Sequence, residues 1–252
     1  IVHEKLNADN TTTHLASYTY TLDASGNRTQ MVEKRGSGAA ETTRTLDYTY
    51  DLFGRLTKEA DSTLGTTSYT YDFSGNRLTK EFKPATVTSA NPRILTKSSY
   101  GTDNRLTELT EEKYDSADKL LGSRKETFVY DASGNLIQRI SPEKTIHFEY
   151  DSENRLILWT DEKDFVEFFY DGDGNRIGKR VNGETTYYVV DPNREVSQVL
   201  AELDHTGNVK QTYTYGLDRL TTYNLSLTTS SYFLQDGLGS SVGISDSNGS
   251  VS

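Results

Sequence analysis

The chain of 252 residues has no cysteine, one methionine, one tryptophan and only four prolines. Without cysteine it forms neither disulfides nor thiolate metal sites. No uninterrupted apolar run approaches the ~18 residues that a membrane-spanning helix requires. No signal peptide is visible either, and because the sequence begins at Ile1 instead of methionine, we expect the true N-terminus to lie further upstream.

The sequence also has few aliphatic residues for its length. Hydrophobic residues make up 33%, and this fraction includes 17 tyrosines. A thick aliphatic core is therefore not expected, and tyrosine must supply much of the buried area. A thin or single-layer sheet with two partly wet faces fits this composition better than a compact globule.

The formal net charge is −10, and the acidic residues are spread along the chain. Nucleic acids and anionic membranes bind clusters of Lys and Arg. We therefore expect no nucleic-acid partner and no membrane insertion, and we interpret the acidic residues as solvated surface.

One short unit recurs throughout, and its clearest copy is Tyr69 to Thr79, with the sequence YTYDFSGNRLT. Tyr69 and Tyr71 are two residues apart, so they lie on one face of an extended strand. Gly75 and Asn76 are residue types that tolerate the positive φ of hairpin turns. The unit is therefore predicted to be a strand, a tight turn and a second strand.

Copies of this unit follow each other along the chain, and Tyr130, Tyr150 and Tyr170 are spaced 20 residues apart. A fixed period of this size indicates a repeat architecture. The copies begin at Tyr18, Tyr48, Tyr69, Tyr100, Tyr114 (a weak copy), Tyr130, Tyr150, Tyr170 and Tyr187, and later units begin near Tyr213 and Tyr232.

We predict one all-β domain over residues 1–252: an antiparallel β-hairpin repeat array that forms a curved or spiralling β-ribbon. Regular repeats occupy residues 1–180, and residues 181–252 continue with a changed register. The segments Arg35–Ala40 and Phe82–Ala85 are predicted to be longer hairpin loops. Asn182-Gly183 predicts a two-residue hairpin turn, and helix-like apolar spacing is essentially absent.

The repeated side chains have predicted structural roles. The Asp after the tyrosine should accept hydrogen bonds from turn amides, as in an Asx turn. The Arg after Gly-Asn should pair with a carboxylate of an adjacent repeat. Leu156 to Trp159 should form local core.

Candidate chemistry is sparse, and we predict no catalytic, cofactor-binding or metal-binding residue and no cofactor. The stretch Asp171 to Asn175 resembles the start of a calcium loop, but Asn182 stands where an EF-hand needs a bidentate Glu. A repeat turn with an extra Asp is the favoured interpretation. Ser240 lies in a Gly-rich turn without a nucleophile motif. The histidines His3, His14, His147 and His205 show no metal-ligand spacing.

The recurring Tyr-Asp-x-x-Gly-Asn-Arg-Leu pattern resembles the YD repeat, also called the RHS (rearrangement hotspot) repeat. The tail strengthens the resemblance, with AELD at 201–204, YGLDRL at 215–220 and LQDGLGSS at 234–241 similar to the segment before the RHS core. The resemblance covers roughly Tyr18 to Val251. The self-cleaving aspartyl core and the toxin that follow in bacterial members are not found, so neither activity is carried over to any residue.

The resemblance implies a β-ribbon that winds into the wall of a hollow shell. The leading hypothesis is thus a non-enzymatic wall module of a secreted or surface-displayed bacterial protein, part of a longer chain, enclosing or delivering a toxin domain. The alternative is an adhesive or self-assembling, filament-forming module that binds a cell-surface glycan or neighbouring copies of itself, because open strand edges promote such association.

Overall fold

The computed structural model describes residues 1–7, 9–193, 196–216, 219–235, 240–248 and 250–251. Within these ranges the chain is all-β, as predicted, and every described pairing between strands is antiparallel. The strands are β1 Val2–Leu6, β2 Thr12–Leu22, β3 Arg28–Arg35, β4 Thr42–Tyr50, β5 Leu56–Asp61, β6 Gly65–Tyr71, β7 Arg77–Pro84, β8 Arg93–Tyr100, β9 Leu106–Tyr114, β10 Leu120–Tyr130, β11 Leu136–Ile140, β12 Thr145–Tyr150, β13 Leu156–Thr160, β14 Phe165–Tyr170, β15 Arg176–Val181, β16 Glu184–Asp191, β17 Gln198–Leu203, β18 Val209–Tyr215, β19 Arg219–Asn224, β20 Thr229–Gln235 and β21 Ser241–Asp246.

Helix is almost absent from the described residues, as the sequence predicts. A single 3-10 turn covers Gly38–Ala40 in the loop between β3 and β4. None of the described helical segments has the length and apolar character needed to cross a bilayer. The predicted features at residues 217–218, 236–239 and 249 lie outside the described residues.

The chain divides into two compact units, each of which is described by itself. One unit is the continuous segment Ala16–Thr145, and the other combines Ile1–Leu15 with Ile146–Ser252. In the continuous unit each strand from β3 to β10 pairs with the strands before and after it in sequence. The same sequential pairing joins β12 to β21 in the other unit.

Sequential antiparallel pairing places alternate turns at opposite ends of the strands in each unit. In the continuous unit, the turns that begin at 23, 51, 72, 101 and 131 lie at the same end of the strands, and we call this side of the unit the turn edge. The weak copy at Tyr114 is different, because its turn joins β9 to β10 at the opposite edge. Its weak similarity to the repeat does not by itself predict that its turn lies on the opposite edge.

The hairpins that the repeated Asp turn closes carry a bulge directly before that turn. In the hairpin of β6 and β7, the register shifts between Thr70 and Tyr71, and Tyr71 then pairs with Arg77. The same shift occurs at Tyr50, Tyr100, Tyr130, Tyr150, Tyr170 and Tyr215. A bulge of this kind strengthens the local twist and fixes the position of the tyrosine relative to the turn.

The core is thin, as the composition predicts. The buried hydrophobic residues are Ala16, Tyr18, Leu46, Val166 and Leu234. The segment predicted to be local core, Leu156 to Trp159, is only half-buried, because β13 lies in a sheet with limited cover. Most of the apolar area is therefore shared between neighbouring half-buried side chains.

Two predicted loops have different outcomes. The segment Arg35–Ala40 does lie at a hairpin loop between β3 and β4. The prediction for Phe82–Ala85 is wrong at its start, because β7 continues to Pro84, which pairs with Gly65. Proline is compatible with this position because the pairing of β7 with β8 ends at Phe82, so Pro84 lies on an unpaired edge on that side. The predicted turn at Asn182-Gly183 is confirmed, with φ of 50° and 92° at the two residues.

Candidate functional site

The repeated turn is held by its aspartate. In the first copy, the Asp23 N–H donates to the Asn27 carbonyl (2.9 Å), and the Gly26 N–H donates to the Asp23 carbonyl (3.1 Å). Gly26 has a φ of 84°, the left-handed conformation that closes a turn of this type at low cost for glycine. The backbone alone thus forms a compact five-residue loop.

The carboxylate of Asp23 completes this loop. Its Oδ1 accepts from the N–H groups of Ser25 (2.9 Å) and Asn27 (2.8 Å), and its Oδ2 accepts from Asn27 Nδ2 (2.9 Å). The predicted Asx-type role is confirmed along the array. Turn amides donate to Oδ1 of Asp23, Asp51, Asp72, Asp115, Asp131, Asp151, Asp171, Asp204 and Asp246.

The residue four positions after this Asp supplies a side-chain donor, and two residue types share the task. Asn76 Nδ2 donates to Asp72 Oδ2 at 2.9 Å. In the turn at Asp51 the corresponding residue is Arg55, whose Nε donates to Asp51 Oδ2 at 2.7 Å.

Positive φ in these turns falls on one residue only. Gly75 and Asn76 were both predicted to be suited to it, but Gly75 alone adopts it in that turn, at 91°. Where glycine is missing from the position, Asn104 and Asn154 adopt the positive φ instead, at 60° each. Asparagine therefore has two roles in the array, as a side-chain donor after the glycine and as a replacement for it.

The predicted pairing of the Arg after Gly-Asn with a carboxylate of an adjacent repeat is wrong. Arg28 and Arg77 follow Gly-Asn pairs and lie over tyrosine rings of their own hairpins, with Arg28 4.1 Å from the centroid of Tyr20. Arg55, which follows a glycine alone, pairs with Asp51 of its own turn, its Nε being 2.7 Å from Oδ2. The physical reason is competition, since the carboxylate of the next turn already accepts hydrogen bonds from that turn's own amides.

Hairpins are instead linked by the tyrosine that directly precedes the turn. The Tyr71 hydroxyl donates to the Leu56 carbonyl of the preceding hairpin at 2.7 Å, and the Tyr50 hydroxyl donates to the Arg28 carbonyl at 2.8 Å. The acceptor lies at the start of the strand that follows the preceding turn. Tyr100, Tyr130, Tyr170 and Tyr215 make a corresponding contact, at 2.8 to 3.0 Å.

An arginine of the preceding turn covers the same tyrosine ring. The Arg55 guanidinium lies 4.8 Å from the centroid of Tyr71, and Arg55 Nη1 donates to the Asp72 main-chain carbonyl at 2.8 Å. Arg155 lies over Tyr170 in the same way, at 5.1 Å. One turn therefore contacts the next through a cation–π interaction and a hydrogen bond. The shared chemistry of the unit, Asp, Arg and Tyr, is directed at neighbouring parts of the same chain.

Hydrogen bonding keeps the turn carboxylates ionised. The side-chain amide of Asn76, with burial opposing it and main-chain N–H groups adding to it, holds the pKa of Asp72 below its ordinary 3.8. The Asn amide is also the main cause of the lowered pKa of Asp23, Asp131 and Asp171. These carboxylates therefore act as hydrogen-bond acceptors at neutral pH and do not resemble a general acid.

The other candidates from the sequence do not assemble into a site. Asp171 has both oxygens engaged by turn donors, from Asp173, from the Asn175 N–H and from the Asn175 side chain, as the repeat-turn interpretation requires. His3 Nε2 lies 2.8 Å from the Gln235 carbonyl. Across the described ranges, no group of three or more His, Asp or Glu side chains is arranged to hold a metal ion.

Sequence reasoning did not single out an apolar cluster at the turn edge. Leu52, Phe53 and Phe73 occupy the tips of two neighbouring turns and are 103%, 82% and 109% exposed. The corresponding tip residues of other turns on that edge are small or polar, namely Ala24, Ser25, Ala132 and Ser133. The signal in the sequence was this difference between turns, which the shared motif conceals.

Comparison with known proteins identifies the family. The family model described as Teneurin YD-shell matches residues 2–252. The chain belongs to the Teneurin YD-shell family. The resemblance seen in the repeated motif is thereby confirmed, and a YD-shell segment is a structural module.

Relatives of this YD-shell chain include much longer proteins. It is 32% identical over 170 residues to the tRNA nuclease WapA of Bacillus subtilis (strain 168), and the match covers 66% of this chain and 6% of the relative. It is 34% identical over 127 residues to the tRNA(Glu)-specific nuclease WapA of Bacillus subtilis subsp. natto (strain BEST195), covering 49% of this chain and 5% of that protein. The chain thus spans a small fraction of the curated relatives it matches.

Solved structures that the chain matches include the TcdB2-TccC3-Cdc42 crystal structure. That structure is 14% identical, with 94% of this chain and 15% of the other covered, and the TM-score is 0.27. A porin-like protein from Bacteroides uniformis ATCC 8492 is 15% identical with a TM-score of 0.39, and the match covers 79% of this chain and 92% of that one.

Proposed function

We propose that this YD-shell chain is a stretch of wall in a hollow β-shell of a secreted or surface-displayed bacterial protein, and that the shell encloses a toxin domain for delivery. In this proposal residues 1–252 form one repeat array within a longer chain, and the wall itself contains no catalytic, cofactor-binding or metal-binding residue. Its partners are the rest of that chain and the enclosed domain.

One observation carries the structural part of the proposal: the contact between Tyr71 and the Leu56 carbonyl, repeated from hairpin to hairpin. Each copy of the motif uses its polar side chains to hold its own turn and the neighbouring hairpin. A ribbon built this way extends by adding units, as repeat proteins do. Such a ribbon suits a wall better than a binding cleft.

The toxin part rests on the relatives. The WapA proteins are named as tRNA nucleases, and the match to this chain covers only 5–6% of their length. We therefore place any nuclease or other toxic activity outside residues 1–252. Association with a cell-surface glycan is the alternative, and a glycan array with the isolated chain tests it.

Protease protection tests the proposal in the full reading frame that contains these residues. The segment that follows the array should survive a protease that digests it once the shell is opened. Gly65→Ala opens the wall, because its φ is 130° and a Cβ would collide with the Lys83 carbonyl oxygen and lie 2.6 Å from the Pro84 Cα. Gly122→Ala is the matched control, since a Cβ there meets nothing within 4 Å.

The expected result is protection in the parent and in Gly122→Ala, and rapid loss of the following segment in Gly65→Ala. Equal digestion in all three proteins would show that this array does not enclose its neighbour. Circular dichroism of each protein verifies that only Gly65→Ala loses β-structure.

A further inference from the structure

The turn edge of the unit Ala16–Thr145 carries an apolar surface that takes no part in the Tyr, Asp and Arg contacts between its turns. Leu52 and Phe53 lie at the tip of one turn, and Phe73 lies at the tip of the next. Leu52 and Phe73 are as exposed as in an extended chain, at 103% and 109%. Large apolar side chains exposed together, with polar turns on both sides, mark an interaction surface.

The same surface contains a groove. It lies between these two turns, has a volume of about 530 Å³ and is lined in part by Phe53, Phe73 and Leu78. A second groove, of about 590 Å³, lies in the other unit. Arg55 and Asp72 also border the groove between the two turns. Protruding side chains and a groove that admits an aromatic ring therefore lie side by side on one patch.

We infer that this patch, Leu52, Phe53, Phe73 and Leu78, is a two-fold interface through which two copies of the chain associate by their turn edges. A two-fold interface brings the same patch of each copy together, so it needs protrusion and cavity within one surface. The ring of Phe73 from one copy fills the groove beside Phe53 in the other. The occupant is thus a second copy of this chain.

Charge on the patch does not oppose this pairing. Arg55 and Asp72 both border the groove, one cationic and one anionic. Because Arg55 pairs with Asp51 and Asp72 accepts from Asn76 in the same chain, neither brings an unpaired charge against a second copy. A glycan is a poorer occupant, because the Asp72 carboxylate, which borders the groove, already accepts hydrogen bonds from Asn76 of its own turn.

The area available indicates weak association. Aromatic side chains bury roughly 150–250 Å² each, so the patch supplies a few hundred Å² per copy. Stable interfaces bury about 800 Å² per partner. We therefore expect a reversible dimer that forms at high micromolar concentration, and stronger association where many copies are held close together.

Sedimentation equilibrium of the full chain up to about 500 µM tests the inference. The average mass should rise toward that of two chains, and Phe53→Ser/Phe73→Ser should keep the mass of one chain with an unchanged unfolding temperature. Leu227→Ser removes a 68% exposed leucine from another loop and should leave the dimer intact. A single-chain mass throughout, or a dimer that survives the double substitution, overturns the inference.

Cross-linking gives a second readout, because the chain has no cysteine. Ser74 lines the groove, whereas Ser25 holds the same position in another turn on the same edge, two residues after its Asp. With a short bifunctional maleimide, Ser74→Cys should be trapped as a dimer at least about ten-fold faster than Ser25→Cys, because a specific interface holds its own residues close to their partners. Equal rates would mean that the copies meet at random and would overturn the inference.

Discussion

The hydroxyl of Tyr71 donates a hydrogen bond of 2.7 Å to the main-chain carbonyl of Leu56, in the hairpin that precedes its own. The register bulge before each repeated turn places that tyrosine in a fixed position. Because the same bond recurs at other hairpins, local turn chemistry is converted into a contact between repeats. The stability of the array should therefore depend on these hydroxyl groups.

Tyr71→Phe should lower the free energy of unfolding by about 0.5–1.5 kcal/mol, since it removes this hydrogen bond but keeps the ring. Urea denaturation followed by tyrosine fluorescence or circular dichroism measures the change. Tyr69→Phe is the matched control in the same strand and on the same face. Its loss of a hydroxyl should cost less, because Tyr69 makes no such bond to the preceding hairpin within the described part of the chain. Equal losses in the two variants would contradict the role given to Tyr71.

The turn position of Gly75 should tolerate asparagine better than valine. Gly75 has a φ of 91° and open space around it, so Gly75→Val should cost about 1–2 kcal/mol of stability from backbone strain. Gly75→Asn should cost less, because Asn104 and Asn154 adopt positive φ at the same position of sister turns. Thermal unfolding of the two variants gives the ranking. If Gly75→Val melts with the parent, the role assigned to this turn is wrong.

Acid should weaken the fold through the turn aspartates. The Asn76 amide is the main cause of the lowered pKa of Asp72, and the Asn135 amide acts in the same way on Asp131. A carboxyl with a folded-state pKa below its unfolded value of 3.8 stabilises the fold above that value, and this stabilisation is lost as pH falls through the folded pKa. We expect the unfolding temperature to be steady from pH 7 to about pH 5 and to fall steeply below about pH 4.

A substitution at Asn76 tests whether its side-chain amide causes the lowered pKa of Asp72. Asn76→Ala should raise the pKa of Asp72 toward its ordinary value and so reduce the acid-dependent loss of stability that this turn contributes. NMR titration of the Asp72 carboxyl measures that pKa directly. A pKa in the variant that remains as low as in the parent would exclude the Asn76 amide as the main cause.

Breaking an ion pair that contains a buried carboxylate should lower the stability of the chain more than breaking an exposed pair. The Glu126 side chain is 4% exposed and accepts from Arg139 Nε (2.8 Å) and Nη2 (3.0 Å), and it also lies 2.6 Å from Arg124. Arg139→Met should destabilise the chain by about 1–3 kcal/mol, because it leaves a buried charge with one partner fewer. Lys97→Met, which breaks a pair whose lysine is half exposed, should cost at most about 1 kcal/mol in the same denaturation assay.

Much of this fold follows from local sequence. The Tyr-x-Tyr alternation, the Asp and the turn glycine each predict a hairpin by short-range physics, and the turn geometry at Asp23 agrees in detail. The partner of Arg55 was not predictable in this way. It depends on whether Arg or Asn stands four residues after the Asp, which the presence or absence of a single asparagine decides.

Features that depend on the order of strands were harder to predict from the sequence. The sequence marks the Tyr114 copy only as weak, yet its turn lies on the opposite edge because it is the next turn after the one at Gly101. The exposed tips at Phe53 and Phe73 became visible as one patch only when their turns proved adjacent. Both cases need the pairing of strands, and the sequence motif does not encode that pairing.

Electron cryo-microscopy of the full reading frame that contains these residues tests the central claim most directly. The density should show residues 2–252 as hairpins side by side in the wall of a closed chamber, with the tyrosine hydroxyls at hydrogen-bonding distance from the preceding hairpins. A separate compact domain outside any wall, or a chamber built without these hairpins, would contradict the account.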